Sequence, residues 1–183
     1  MKRKRLYALV LPALFLSMVS TSRAADFTLF AGAAKPGSLN LQGLAESLDT
    51  SPIYGVRAAY SFVPMLGMEH TFGFSNDFLF PGGVPSISHA KGFVYNCNLI
   101  INIPAGHTVP YVTAGVGLLR QYGSSDLPVG TKLAFNYGGG LKFPRLFGPL
   151  GLRFDMRGYS ASGIISERLS LLEITGGILI SLN

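Results

Sequence analysis

The chain of 183 residues has no tryptophan, a single cysteine and few charges, with 13% Asp, Glu, Lys and Arg against 48% apolar residues. So little charge in so apolar a chain argues against disorder. The lone Cys97 excludes an intrachain disulfide scaffold and a thiolate metal site, and it reads as a small apolar strand residue. Long hydrophobic runs are also missing. Beyond residue 24 the longest uncharged apolar-rich stretches are Val109–Leu119 and Ile174–Leu182. Both fall short of the roughly 18–20 residues that a membrane helix needs. The 23 glycines and 11 prolines argue against a helical bundle. What remains is an all-β protein, and the length fits one domain.

The N-terminus explains most of the positive charge. Met1-Lys2-Arg3-Lys4-Arg5 precedes an apolar run from Leu6 to Val19, then Ser22-Arg23-Ala24. A basic start, an apolar centre and a small-x-small cleavage site read as a secretory signal over residues 1–24. The apolar run is too short for a membrane anchor. The signal holds five of the 15 basic residues and none of the nine acidic ones, so ten basic residues remain against nine acidic. A mature chain over 25–183 is therefore near neutral. No basic cluster with interleaved aromatics points to nucleic acid.

Eight segments of the mature chain alternate at period two, the signature of strands with two unlike faces. They are Asp26–Ala34, Ile53–Phe62, Leu66–Ser75, Lys91–Ile103, Val109–Gln121, Thr131–Phe143, Gly151–Tyr159 and Leu169–Leu182. Long connections (Lys35–Pro52, Asn76–Ala90, Tyr122–Gly130, Ser160–Arg168) alternate with short ones (Val63–Met65, Pro104–Thr108, Pro144–Leu150). Strands of about ten residues with long loops at one end and short turns at the other predict an eight-stranded antiparallel up-and-down transmembrane β-barrel. An even strand number puts both termini at the short-turn, periplasmic end.

Side-chain volume separates a membrane barrel from a soluble one. Phe, Tyr, Ile and Leu crowd one face of the segments, and Gly, Ser, Thr and Asn fill the other. The interior of an eight-stranded barrel is narrow and packed with side chains. The bulky face therefore belongs outside, against lipid. A soluble lipocalin-like barrel is the alternative, but that resemblance wants a Gly-x-Trp near the barrel start, and the chain has no Trp.

The stretches Pro110-Tyr111-Val112-Thr113-Ala114-Gly115-Val116-Gly117, Phe135-Asn136-Tyr137-Gly138-Gly139-Gly140 and Gly151-Leu152-Arg153-Phe154-Asp155-Met156-Arg157 resemble the outer-membrane β-barrel domain family. Its relatives include the small OmpA- and OmpX-type barrels. The resemblance covers the whole mature chain. It implies a Gram-negative outer-membrane location, with lipid and lipopolysaccharide as surroundings. It also implies insertion by the outer-membrane assembly machinery and no cofactor. Such barrels commonly end in an aromatic residue, whereas this chain ends Ile180-Ser181-Leu182-Asn183.

The alternation sends Arg57, Glu69, Lys142, Arg153, Asp155, Arg157 and Glu173 into the lumen, four cations and three anions. Charges in a narrow interior must be paired. Hairpin counting brings Arg57 near Glu69, Arg153 across from Gly140, and Arg157 near Glu173. The expected role of the set is structural, a salt-bridge network that plugs the barrel. No residues read as catalytic, cofactor-binding or metal-ligating, and the chain reads as a structural or surface-interaction protein rather than an enzyme.

Two alternatives remain. One is a small-solute pore. The other is lipid A acyl hydrolysis, which some eight-stranded barrels perform with an outward Ser/His/acid triad. That triad needs a His beside a Ser on one face. His107 sits in a short turn, His89 follows Ser88 in a loop, and His70 faces lipid beside an inward Glu69. Tyr159-Ser160-Ala161-Ser162 has Gly158, not His, two residues before Ser160. Loops on a rigid scaffold often carry binding, and the apolar Asp77-Phe78-Leu79-Phe80-Pro81 is the stretch that offers a partner surface.

Overall fold

The computed structural model describes residues 24–37, 39–41, 44–46, 50–76, 91–122, 131–164 and 167–182. Most of the expected signal thus lies outside the described residues, as do Asp77–Pro81 and His89.

The described residues form ten strands. Eight build the barrel: β1 (Ala24–Pro36), β4 (Ser51–Val63), β5 (Leu66–Ser75), β6 (Lys91–Asn102), β7 (Val109–Tyr122), β8 (Thr131–Phe147), β9 (Leu150–Ile164) and β10 (Glu167–Leu182). Two three-residue strands, β2 (Leu39–Leu41) and β3 (Leu44–Glu46), pair as a small hairpin within the first long connection. Each barrel strand pairs antiparallel with its sequence neighbour, and β1 closes the cylinder against β10. Closure leaves no unpaired edge, as a span through lipid requires.

The faces follow the alternation. Leu99, Val112, Val116, Phe135, Met156 and Ile174 are exposed on the outer wall, whereas Asn96, Asn98, Thr113, Asn136 and Thr175 are buried in the lumen. Water would make such a wall costly, since apolar area loses about 25 cal/mol per Å2 when left wet. Lipid removes that cost. Tyr and Phe border the belt in place of the absent Trp. Tyr54, Phe74 and Phe93 line the loop end, with ring centroids 6.5 and 5.3 Å apart. Tyr60 and Phe62 meet edge-on at 5.2 Å toward the turn end.

Small inward residues let neighbouring strands carry large ones. A Cβ on Gly73 would press on Ile53 and Phe30, and one on Gly140 would strike the Tyr111 phenol.

β1, β4 and β7 run one or two residues beyond the expected bounds, and other boundaries differ as well. The expected loop Ser160–Arg168 is largely strand, because β9 runs to Ile164 and β10 begins at Glu167. Ladder pairing simply continues there, Ser160 against Ser170 and Ala161 against Leu169. Polar residues weaken the alternation signal without opposing the ladder. The expected turn Pro144–Leu150 likewise narrows to Gly148 and Pro149, because β8 continues to Phe147 through an irregularity after Phe143. Arg145 there has φ 57° and Gly148 has φ 63°. A positive φ is strained for a side-chain-bearing residue and free for glycine. Finally, the strand Lys91–Asn102 stops one residue before Ile103.

Candidate functional site

Strand β9 supplies the centre of the lumen. Arg153, Asp155, Arg157 and Tyr159 are spaced by two, so all four point inward and all are buried. Asp155 is the hub. Its Oδ1 lies 3.0 Å from Arg153 Nη2 and 2.9 Å from Arg157 Nη2, and its Oδ2 lies 3.0 Å from Arg57 Nη1. Arg153 also donates through Nε to Oδ2 at 3.1 Å, which makes that pair bidentate. Tyr111 donates its phenolic hydrogen to Asp155 Oδ1.

Two glutamates complete the layer. Glu69 Oε1 accepts from Arg157 Nη2 at 2.6 Å, and its Oε2 lies 2.6 Å from Arg153 Nη1 as an ion pair. Glu173 takes Arg57 Nη2 on Oε1 at 2.6 Å and the Tyr159 hydroxyl on Oε2 at 2.7 Å. Thr71 and Thr175 accept from Arg157 and Arg57. Three guanidiniums thus face three carboxylates, nearly all of them fully buried. Charges withdrawn from water cost several kcal/mol each unless paired with good geometry and further hydrogen bonds. This layer supplies the pairing and most of the hydrogen bonds, while Arg153 Nη1 and Glu69 Oε2 meet as an ion pair alone and Arg57 Nε has no hydrogen-bond partner among the described residues.

The individual neighbours differ from those that hairpin counting gave. Arg57 stands opposite Thr71, and Glu69 stands opposite Ala59. The acids bonded to Arg57 are Asp155 and Glu173. Arg153 stands opposite Lys142, and Gly140 opposite Asp155. The space over Gly140 is filled by Tyr111, not by a guanidinium. Glu173 does stand opposite Arg157 in register. Counting from a turn assumes regular pairing, and the irregularities near Val63 and after Phe143 shift it.

Lys142 lies below this layer, near the short turns, where its Nζ bonds Asp26 Oδ2 at 2.9 Å. Asp26 was not among the expected lumen charges. It balances the set at four cations and four anions. The signal was in the sequence: Asp26, Thr28 and Phe30 alternate inward on β1. Tyr111 separates the like charges of Lys142 and Arg153, whose cationic atoms lie 5.5 and 4.7 Å from its ring centroid. Lys142 and Asp26 line a cavity of about 400 Å3 that also touches Asn102, His107 and Ser181.

Above the charges, amides continue the packing. Asn98 and Asn136 donate to each other, at 2.7 and 3.0 Å. Asn96 donates to the Tyr159 hydroxyl at 3.1 Å. The loop end is then closed by an apolar cap of Phe30, Ile53, Val94, Leu119 and Leu171, with Ala34, Ala134 and Ala161 between them. Arg57 joins the two layers, its guanidinium carbon 3.8 Å from the Phe30 ring centroid. The cap escapes period-two analysis because both faces are apolar there: Leu29 beside Phe30, Phe93 beside Val94, Leu118 beside Leu119.

On the outer wall, His70 Nδ1 and the Tyr95 hydroxyl lie 3.0 Å apart, and the His70 ring stacks between Tyr60 and Tyr95. Cys97 stands opposite His70 in register. His107 is exposed in the turn between β6 and β7, far from Ser160 on β9. The described histidines therefore form no Ser/His/acid arrangement on one face.

No family model and no curated protein matches the chain. Solved structures do. Neisserial surface protein A superposes with a TM-score of 0.66 at 16% identity, covering 86% of this chain and 97% of that one. OprG, an outer membrane protein of Pseudomonas aeruginosa, gives 0.60 at 13% identity, with 88% of this chain and 98% of that one covered. The N-terminal β-barrel domain of Pseudomonas aeruginosa OprF gives 0.57 at 14% identity, with 88% and 98% covered. By fold, this chain is a small eight-stranded β-barrel similar to these outer-membrane proteins, with an outward apolar belt of the kind that faces lipid.

Proposed function

We propose that the chain is an integral outer-membrane protein with a structural or surface-interaction role, not a conduit. The carrying observation is the filled lumen, in which a neutral network of buried ion pairs lies beneath an apolar cap. Seven residues, Arg57, Glu69, Lys142, Arg153, Asp155, Arg157 and Glu173, serve as a structural plug together with Asp26. A plug of this kind leaves function to the loops and to the outer wall. In this reading residues 1–24 direct export and are removed, and the assembly machinery inserts the mature barrel.

Two measurements test the reading together. Unboiled protein in detergent gels should migrate apart from boiled protein and show β-type circular dichroism. In planar bilayers the same preparation should carry no steady current. A steady ion-selective current from the monomer would replace the plug with a pore, the lumen charges then acting as a selectivity lining. A folded monomer that stays soluble without detergent would overturn the membrane reading itself.

A further inference from the structure

We propose that Lys91 and Arg120 form a binding site on the outer wall for a phosphate of an outer-leaflet glycolipid, lipopolysaccharide. The proposal rests on the outer-membrane reading above and adds a ligand and its residues to it.

Charge is sorted across the wall of this barrel. Asp26, Glu69, Asp155 and Glu173 all lie on the inward alternation of their strands. Among the described residues whose side chains are placed, the outward charges are Lys35, Lys91, Arg120 and Arg145, all cations. Arg145 lies at the turn end. The other three lie at the loop end, beside the connections that face away from the termini. Among the described residues with placed side chains, the acids thus lie inside and the loop-end rim shows only cations, an arrangement suited to meet anions there.

Lys91 and Arg120 lie on adjacent strands. Arg120 stands opposite Phe93, and Lys91 opposite Tyr122, so the two cations are diagonal neighbours on one face. Such neighbours lie roughly 7–8 Å apart, close enough for one tetrahedral anion to accept from both. Both are exposed, and neither forms an ion pair among the described residues. The two side chains offer complementary chemistry. Arg presents a fork that fits two phosphate oxygens, and Lys supplies a point charge.

The level of the pair selects a lipid over a dissolved ion. Tyr54 stands opposite Phe74, Phe74 opposite Phe93, and Phe93 opposite Arg120. The row is thus continuous: three aromatics, then the guanidinium. Aromatic rings of this kind sit at headgroup depth. Lys91 lies two residues further toward the loops. The cations therefore stand at and just above the headgroup level, with an aromatic floor for the sugar or upper acyl segment. Tyr122 flanks Lys91 on the same face.

The test uses native mass spectrometry of the mature barrel refolded in detergent and titrated with bisphosphorylated lipid A. Companion titrations use the same lipid stripped of phosphate and phosphatidylglycerol. Two cations near a membrane surface, each worth about 1 kcal/mol, correspond to roughly thirty-fold in retention. K91Q/R120Q should lose about that much, whereas K91R/R120K and the turn-end R145Q should retain wild-type binding. Wild-type protein should hold the dephosphorylated lipid about as weakly as the double variant holds the phosphorylated one. Equal retention of lipid A by wild type and K91Q/R120Q would overturn the site. So would equal retention of stripped and phosphorylated lipid by wild type, a comparison that needs no variant to fold. Equal retention of phosphatidylglycerol would overturn the assignment to the glycolipid. A silent bilayer recording alongside any of these outcomes leaves the sealed-lumen reading standing, so the two fail separately.

Discussion

Arg57 and Glu173 are 116 residues apart in sequence and sit on strands separated by β1, yet Arg57 Nη2 lies 2.6 Å from Glu173 Oε1 inside the barrel. Both are wholly buried. Their contact closes the lumen across the seam where the first and last strands meet. It forms only when that seam is made, so it reports barrel closure rather than any local hairpin.

The pair therefore has a measurable energetic signature. Glu173→Gln leaves the Arg57 charge short of one partner and weakens the acceptor of the Tyr159 hydroxyl. Removing one member of a buried pair costs about 3–5 kcal/mol. Arg57→Met should cost a similar amount, because Glu173 and Asp155 are then under-compensated. The double variant should recover much of the loss, since neither charge of the pair is then left buried without its partner. Urea titration of the folded gel band in lipid vesicles measures all three. Additive losses in the double variant would show that the two side chains are energetically independent.

The outer wall offers a contrast between neighbours. Leu99→Arg places a cation against lipid and should destabilise by about 2–4 kcal/mol if the site is near the midplane. Thr71→Arg places it in the lumen beside Arg157, where like charge and lack of space oppose it. The first penalty should shrink in detergents with a thinner apolar shell, and the second should not. Equal response of the two variants to the surrounding amphiphile would contradict the assignment of faces.

Sidedness follows from the connections. A protease site inserted between residues 81 and 84, or between 124 and 126, should be cut on intact cells. One inserted at Ala105–His107, in the turn between β6 and β7, should be cut only after the outer membrane is opened. Cleavage at the turn in intact cells would invert the barrel in the membrane.

Much of this architecture was legible in the sequence because a lipid-spanning strand must differ between its faces. Leu66–Ser75 alternates strictly, and its boundaries coincide with β5. Inward charges were legible for the same reason. Legibility failed where that contrast vanishes. At Phe30, Ile53, Val94 and Leu119 both faces are apolar, so the cap left no period-two signal. The stretch Ser160-Ala161-Ser162-Gly163 is small or polar throughout and shows no contrast in the sequence, so it resembled a loop. Partner choice was the least legible feature. Alternation says that Arg153 points inward, but not that it bonds Glu69 on β5 and Asp155 on its own strand. The Glu69 contact crosses the lumen, and it depends on barrel closure and strand stagger rather than on hairpin counting.

The two layers of the seal can be tested independently. A hydrophobic constriction blocks ions by shedding water, whereas a charged layer blocks by filling space and holding its own counter-charges. Glu173→Gln loosens only the charged layer, while Phe30, Ile53, Val94, Leu119 and Leu171 still close the loop end. Its current in planar bilayers should remain at baseline despite the lost stability. Ile53→Ser with Leu119→Ser wets the cap but leaves Asp155 and its three arginines interlocked. That variant should also be silent. Combining all three substitutions opens both layers, and small, flickering conductance steps should appear. A steady current from Glu173→Gln alone would assign the whole barrier to the ion pairs. Silence of the combined variant, in protein shown to be folded by its gel shift, would mean that the backbone-lined lumen is too narrow for a water path whatever fills it.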